Sequence, residues 1–196
     1  MQLSIFTGSP ARHIRNIALY IGYSSMKIIM IFILANLIGC SQYSNLIVPE
    51  PSRVDILMNT ADAYVGLNEN EDRTSLRLFM SLDPVNYEWC AAFVNSVLSL
   101  ANVPGSEAFH NNPLLARSFL KWGEEVDAPK KGDIVVFSRG NEAWQGHVGF
   151  YAASYIKDGI EYYVILGGNQ NDEVNYSSYK SKTAISIRRW PLSYED

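Results

Sequence analysis

Cysteine is scarce in this chain: two among 196 residues, too few for the disulfide framework of a small secreted scaffold. Histidine, at three, is no more plentiful. A zinc site needs a set of three or four His, Cys or carboxylate ligands; once Cys40 is set aside for the reason given below, Cys90, His110 and His147 do not form one. Neither Gly-x-x-x-x-Gly-Lys nor Gly-x-Gly-x-x-Gly occurs, so no nucleotide cradle is expected. The reading is therefore no metal and no cofactor. Positive charge is not in surplus either. The formal charge is −4, and residues 1–39 carry Arg12, Arg15 and Lys27 with no acid, which leaves −7 on the remainder. Such a chain offers nucleic acid no general attraction. Repeats, heptads and low-complexity tracts are missing too. What is present is 47% hydrophobic residues, with 12 Tyr and 4 Trp, in a length that has room for one core.

No apolar run reaches the roughly 20 residues that span a bilayer, yet one shorter run has a recognisable shape. From Met26 and Lys27, about a dozen apolar positions lead to Leu37-Ile38-Gly39-Cys40, the form of a secretory signal. The ending resembles a bacterial lipobox, which makes Cys40 the lipidated first residue of the mature chain. Residues 1–39 are thus read as a signal segment, with 26–39 the lipoprotein signal and 1–25 an extension ahead of the true start; a longer signal, a buried hydrophobic helix or a plain membrane anchor is the alternative. Several acyl chains, at about 0.8 kcal/mol per buried methylene, give stable membrane attachment. Ser41 follows the cysteine and no Asp suggests inner-membrane retention. The expected location is the cell envelope, on the periplasmic face of the outer membrane.

Residues 40–51 form a tether, with Pro49 and Pro51 discouraging regular structure. The remainder, 52–196, is read as one domain and as a monomer. Ser52-Arg53-Val54-Asp55 starts a helix with a capping box; a second helix is expected over Leu76–Leu82. A third begins at Cys90, with Phe93, Val94, Val97, Leu98 and Ala101 at helical spacing, and Pro104-Gly105 ends it. A fourth is expected over 113–122, with Pro113 in its first turn. Then the period changes. Asp133–Phe137, Val148–Tyr155, Glu161–Leu166 and Ile185–Trp190 read as strands between Gly, Asn and Asp turns. Helices first and antiparallel strands after predict an α+β fold, the helices on one side of the sheet.

Trp89-Cys90-Ala91-Ala92-Phe93 places a lone thiol at a helix N-terminus, where unpaired N–H groups and the macrodipole favour the thiolate. Gly146-His147-Val148-Gly149 supplies an imidazole at the start of a strand, expected to project toward that helix as general base. Gly167-Gly168-Asn169-Gln170 supplies amides at a strand end. Asn169 is expected to orient the ring, with Gln170 and Asn171 as rivals and a simple turn as the bland reading. Trp89, Trp144, Gln145 and Gln170 are expected to line the substrate cleft, although Trp89 reads equally well as core. The second oxyanion donor, beside the Cys90 N–H, is sought at Glu88, Tyr87 or a backbone amide near them. His110 is given no role.

Five blocks in consistent order then resemble a family of phage and bacterial cell-wall hydrolases, related to the NlpC-type and CHAP (cysteine, histidine-dependent amidohydrolase/peptidase) groups. They are Trp89–Asn95, Ala116–Gly123, Lys131–Phe137, Trp144–Tyr151 and Leu166–Gln170. The resemblance covers roughly residues 52–192. It implies a papain-like α+β fold, peptidoglycan as partner, and thiol attack on an amide with Cys90 and His147 as the pair. The bond is left open between a stem-peptide endopeptidase and an N-acetylmuramoyl-L-alanine amidase. Gly167 stands where CHAP domains tend to carry an acid, and the third His of many NlpC-type enzymes is missing. Alternatives are a non-catalytic wall-binding lipoprotein and a papain-like transferase or deamidase.

Overall fold

The computed structural model describes residues 51–191. The extension, the signal segment, Cys40, most of the tether and residues 192–196 lie outside the described residues. Helix α1 (Arg53–Asp62) starts as its sequence requires: the Ser52 hydroxyl accepts from the Asp55 N–H at 3.1 Å, and the Asp55 carboxylate accepts from the Ser52 N–H at 3.3 Å. Helix α2 (Arg73–Met80) buries only Leu76 and Met80. Helix α3 (Cys90–Leu100) is different. Seven of its eleven residues are buried, from Cys90 to Leu98, so it is a central helix with core on nearly every side.

Six strands follow: β1 (Glu124–Glu125), β2 (Ile134–Ser138), β3 (Gly146–Lys157), β4 (Ile160–Gly167), β5 (Asn175–Lys180) and β6 (Ala184–Arg189). They form one sheet in the order β1-β6-β2-β3-β4-β5, with every neighbouring pair antiparallel. This is the expected α+β, papain-like arrangement. Among the described residues no helix is long and apolar enough to cross a membrane.

Period-2 alternation divides the sheet's side chains between two cores. Ile134, Val136, Val148, Phe150 and Leu166 pack with α3 and the other helices in the larger core. Val135, Phe137, Tyr151, Tyr163, Ile165 and Ile187 form a smaller cluster on the other face, with Tyr179 against it. The helices therefore cover one side only.

Two segments depart from the expectations. The fourth helix is a short 3₁₀ segment, Ala116–Lys121, with Phe119 and Trp122 buried and the Trp122 indole donating to the Pro104 carbonyl at 2.7 Å. Tertiary anchoring of that kind holds the chain without a full α-helical ladder. Strands β1 and β5 have no counterpart in the sequence reading. Strand β5 reads Asn-Tyr-Ser-Ser-Tyr-Lys and is half-buried at every second residue; as an edge strand it needs no apolar alternation.

The loop after β4 is what brings the sheet to the Cys90 helix. Gly168 lies flat against the Trp89 ring, where a Cβ would overlap the indole and press on Phe93. On the far side, Leu67 and Val174 exchange backbone bonds with their neighbours: Gly66 N–H donates to Val174 at 2.8 Å and Val174 N–H to Leu67 at 3.0 Å. Asn169, Asn171 and Asp172 all adopt positive φ, between 55° and 62°, which Asn and Asp tolerate better than other side chains.

Candidate active site

Cys90 opens α3 and is 3% exposed. The first intrahelical bond of this turn runs from the Phe93 N–H to the Trp89 carbonyl, so the N–H groups ahead of it have no helical partner. The backbone amides of Val148 and Ala91 favour the sulfur anion. The contact with Val148 puts the thiol against the peptide that follows His147. The helix start and the strand start therefore meet.

His147 is the second residue of β3, at the strand end that meets the N-terminus of α3. In β3 it shares the parity of Gly149 and Tyr151, pairs across from Phe137, and stacks on Tyr179 with ring centroids 5.2 Å apart. It occupies the face away from the helices, at the sheet end beside Cys90. Its Nε2 is 3.0 Å from the Gln170 Oε1. The Gln170 side chain can be oriented from its surroundings: its Nε2 donates to the carbonyls of Ile165, Gly167 and Asn175 and to the Asn175 Oδ1, at 2.6 to 3.3 Å. Those partners are all acceptors, so the amide nitrogen must face them and the amide oxygen must face the ring. The Tyr179 hydroxyl donates to the same oxygen at 3.0 Å. An acceptor at Nε2 fixes the proton there, and the neutral ring carries its lone pair on Nδ1. That atom is buried without a hydrogen-bond partner. Among the described residues no hydrogen bond joins Cys90 to His147.

Burial governs both charges. It pushes the Cys90 thiol up from 9.0 to about 11, against the pull of the Val148 and Ala91 amides and of Arg139; Glu88 adds to the rise. It pushes the His147 imidazole down from 6.5 to about 4; the Gln170 bond opposes this and Arg139 reinforces it. At neutral pH the pair rests as thiol and imidazole. Removal from water thus opposes the anion that the helix end favours.

Cys90 opens onto a cavity of about 430 Å³, lined also by Glu88, Leu114, Arg139, Trp144 and Gln145. Trp144 and Gln145 sit where the cleft expectation put them, Trp144 being 58% exposed. Trp89 and Gln170 do not. Trp89 is fully buried, its indole N–H donating to Glu69 at 2.8 Å, because the Gly168 turn and α3 close over it. Gln170 is buried behind the imidazole, held there by its four acceptors. Asn169 also departs from its expected part. It does not contact the ring; its Nδ2 donates to the Glu88 carboxylate at 2.8 Å, since its left-handed backbone turns the side chain toward the segment ahead of Cys90.

Tyr179 and Arg139 went unread in the sequence. Tyr179 lies on an edge strand without apolar patterning. Arg139 is an isolated charge just past β2. Gln170, one residue beyond Asn169, could have been chosen only by knowing which way the turn unwinds.

Compared with known proteins, residues 82–169 match the family model of the CHAP domain. No curated protein matches the chain. The matched stretch takes in Cys90, His147 and Asn169 and stops just short of Gln170. It supports a CHAP-related peptidoglycan hydrolase family and implies hydrolase or amidase activity on the cell wall in general terms; CHAP domains are typically cysteine- and histidine-dependent amidohydrolases or peptidases.

Proposed function

We propose that this chain is a lipid-anchored thiol hydrolase that cuts an amide bond within peptidoglycan. The observation that carries the reading is the buried, unpartnered Nδ1 of His147 at the sheet end where the Cys90 sulfur lies. Gln170 accepts the Nε2 proton and so leaves Nδ1 as the base.

The chemistry runs as follows. The Cys90 thiol gives its proton to His147 Nδ1 as sulfur bonds to the scissile carbonyl carbon. The tetrahedral oxyanion faces the Cys90 backbone N–H at the helix start, where no intrahelical acceptor competes for it. Collapse breaks the C–N bond, and the imidazolium returns its proton to the departing amine. Water then attacks the thioester with Nδ1 again as base, which frees the carboxylic acid and restores the thiol. Throughout, Gln170 Oε1 holds the Nε2 proton and steadies the imidazolium, while Tyr179 packs against the ring. Resting as a neutral pair keeps an isolated anion out of the dry site until the substrate supplies a partner. Gln170, with Cys90 and His147, is thus the positioning member in place of Asn169. Asn169 holds Glu88 at the cleft wall.

Purified sacculi test the reading directly. The protein should release soluble muropeptides whose masses identify the bond. Cys90→Ala should abolish release with an unchanged circular dichroism spectrum, and full activity in that variant would refute the mechanism. Gln170→Ala should lower kcat about 10- to 100-fold, through one lost hydrogen bond to a charge-bearing ring, with KM altered less. For the anchor, Cys40→Ala should move the protein from the membrane to the soluble fraction; retention in the membrane would sink that part.

A further inference from the structure

Arg139 is the first residue after β2 and lines the same cavity as Cys90. Its side chain is exposed, and among the described residues it makes no ion pair. Yet it lies close enough to act electrostatically on Cys90, His147 and Tyr179 at once. The loop that carries it is pinned at both ends. Arg117 donates from Nε to the Gln145 carbonyl at 2.8 Å and from Nη2 to the Ser138 hydroxyl at 3.4 Å. Within the loop, Gln145 N–H donates to the Glu142 carbonyl and Glu142 N–H to the Gln145 side chain, each at 3.0 Å. A long cation on a braced loop, facing an open cavity, is a group held in readiness.

We infer that Arg139 is the specificity residue of this cleft: its guanidinium holds a free carboxylate on the peptide, next to the amide that Cys90 attacks. This rests on the catalytic reading above and names the substrate class within it. A planar guanidinium matches a carboxylate through two parallel N–H···O bonds. The same cavity fixes the polarity. Glu88 lines it as well, with its carboxylate already holding the Asn169 amide, and it repels a second carboxylate. The substrate's acid is therefore directed to Arg139 rather than to Glu88, in the cavity that also holds the Cys90 thiol, Trp144 and Leu114. An amidated peptide offers Arg139 only uncharged carbonyl acceptors in place of the paired oxygens of a carboxylate.

The test uses purified muropeptides in two forms, with free carboxylates and with the same carboxylates converted to primary amides. Calorimetric binding to the Cys90→Ala protein reads the clamp without turnover, and kcat/KM of the active protein reads it with turnover. The free-acid form should bind roughly 10-fold or more tightly than the amidated form, the range of a charge-assisted bond. Adding Arg139→Gln should erase that preference, mainly through KM for the free-acid form, while Arg139→Lys keeps part of it. Equal affinity for the two forms in Cys90→Ala, an undiminished preference after Arg139→Gln, or binding of neither form would each overturn the inference. Discrimination by Cys90→Ala, with the unsubstituted protein releasing nothing from sacculi, would overturn the catalytic reading and leave the clamp standing.

Discussion

At the scale of the residue, burial disfavours charge on both Cys90 and His147. A cysteine protease thiolate held by an imidazolium reacts fast near neutrality. Here the opposite is expected. With the thiol pushed up to about 11, the iodoacetamide rate of the unliganded protein should be slower at pH 7 than that of a free cysteine. It should keep climbing well above pH 9. A rate that levels off below pH 7 would show instead that an ion pair forms without substrate. The imidazole gives the matching acid side: its kcat/KM should hold down to pH values below 6.5, because the base is unprotonated until pH approaches 4.

Elements decide which residues meet. The N-terminus of α3 and the start of β3 were legible because each carries strong local patterning: buried positions at helical spacing from Cys90 onward, and β-branched and aromatic residues after His147. The direction of the imidazole was not. Side-chain alternation fixes which residues share a face, but not which face the helices cover. The turn after β4 shows the same limit. Gly167-Gly168-Asn169-Gln170 reads as a turn with amides, and choosing between Asn169 and Gln170 required the backbone: a left-handed Asn169 sends its side chain to Glu88 and leaves Gln170 for the ring. The close approach of Gly168 to Trp89 holds that choice in place. Gly168→Ala should lower stability by about 1–3 kcal/mol, the usual cost of overpacking a rigid core, and should lower activity further by shifting Gln170. A thermal midpoint equal to that of the parent would show that the Trp89 ring yields.

For the molecule as a whole, the buried pair links stability to pH on both sides. The folded imidazole near 4 lies below its ordinary 6.5. As pH falls between those values the unfolded chain binds a proton that the folded one refuses, so this stability is full above 6.5 and is lost as pH falls through 4. The gap corresponds to about 3 kcal/mol at 1.36 kcal/mol per pH unit. The thiol mirrors it: raised from 9.0 to about 11, it contributes stability that is complete below 9 and is lost as pH rises through 11. Urea unfolding from pH 4 to 7 should therefore show a shallower pH dependence in His147→Gln than in the parent. Identical slopes would place the proton linkage elsewhere.

The sequence by itself determined the α+β architecture, the central helix beginning at a thiol, the strand beginning at an imidazole and the order of the blocks, because helical and strand periodicities and turn residues act over a few neighbours. The tertiary structure alone decided that His147 leans on Gln170 and Tyr179, that Trp89 is core, that Arg139 lines the cleft, and that burial disfavours charge on both Cys90 and His147. Those outcomes depend on burial and on contacts between distant segments, such as the 23 positions separating His147 from Gln170 and the 81 separating Glu88 from Asn169. Water exclusion at a junction of helix, sheet and loop is a property of their assembly, and no local stretch of chain encodes it.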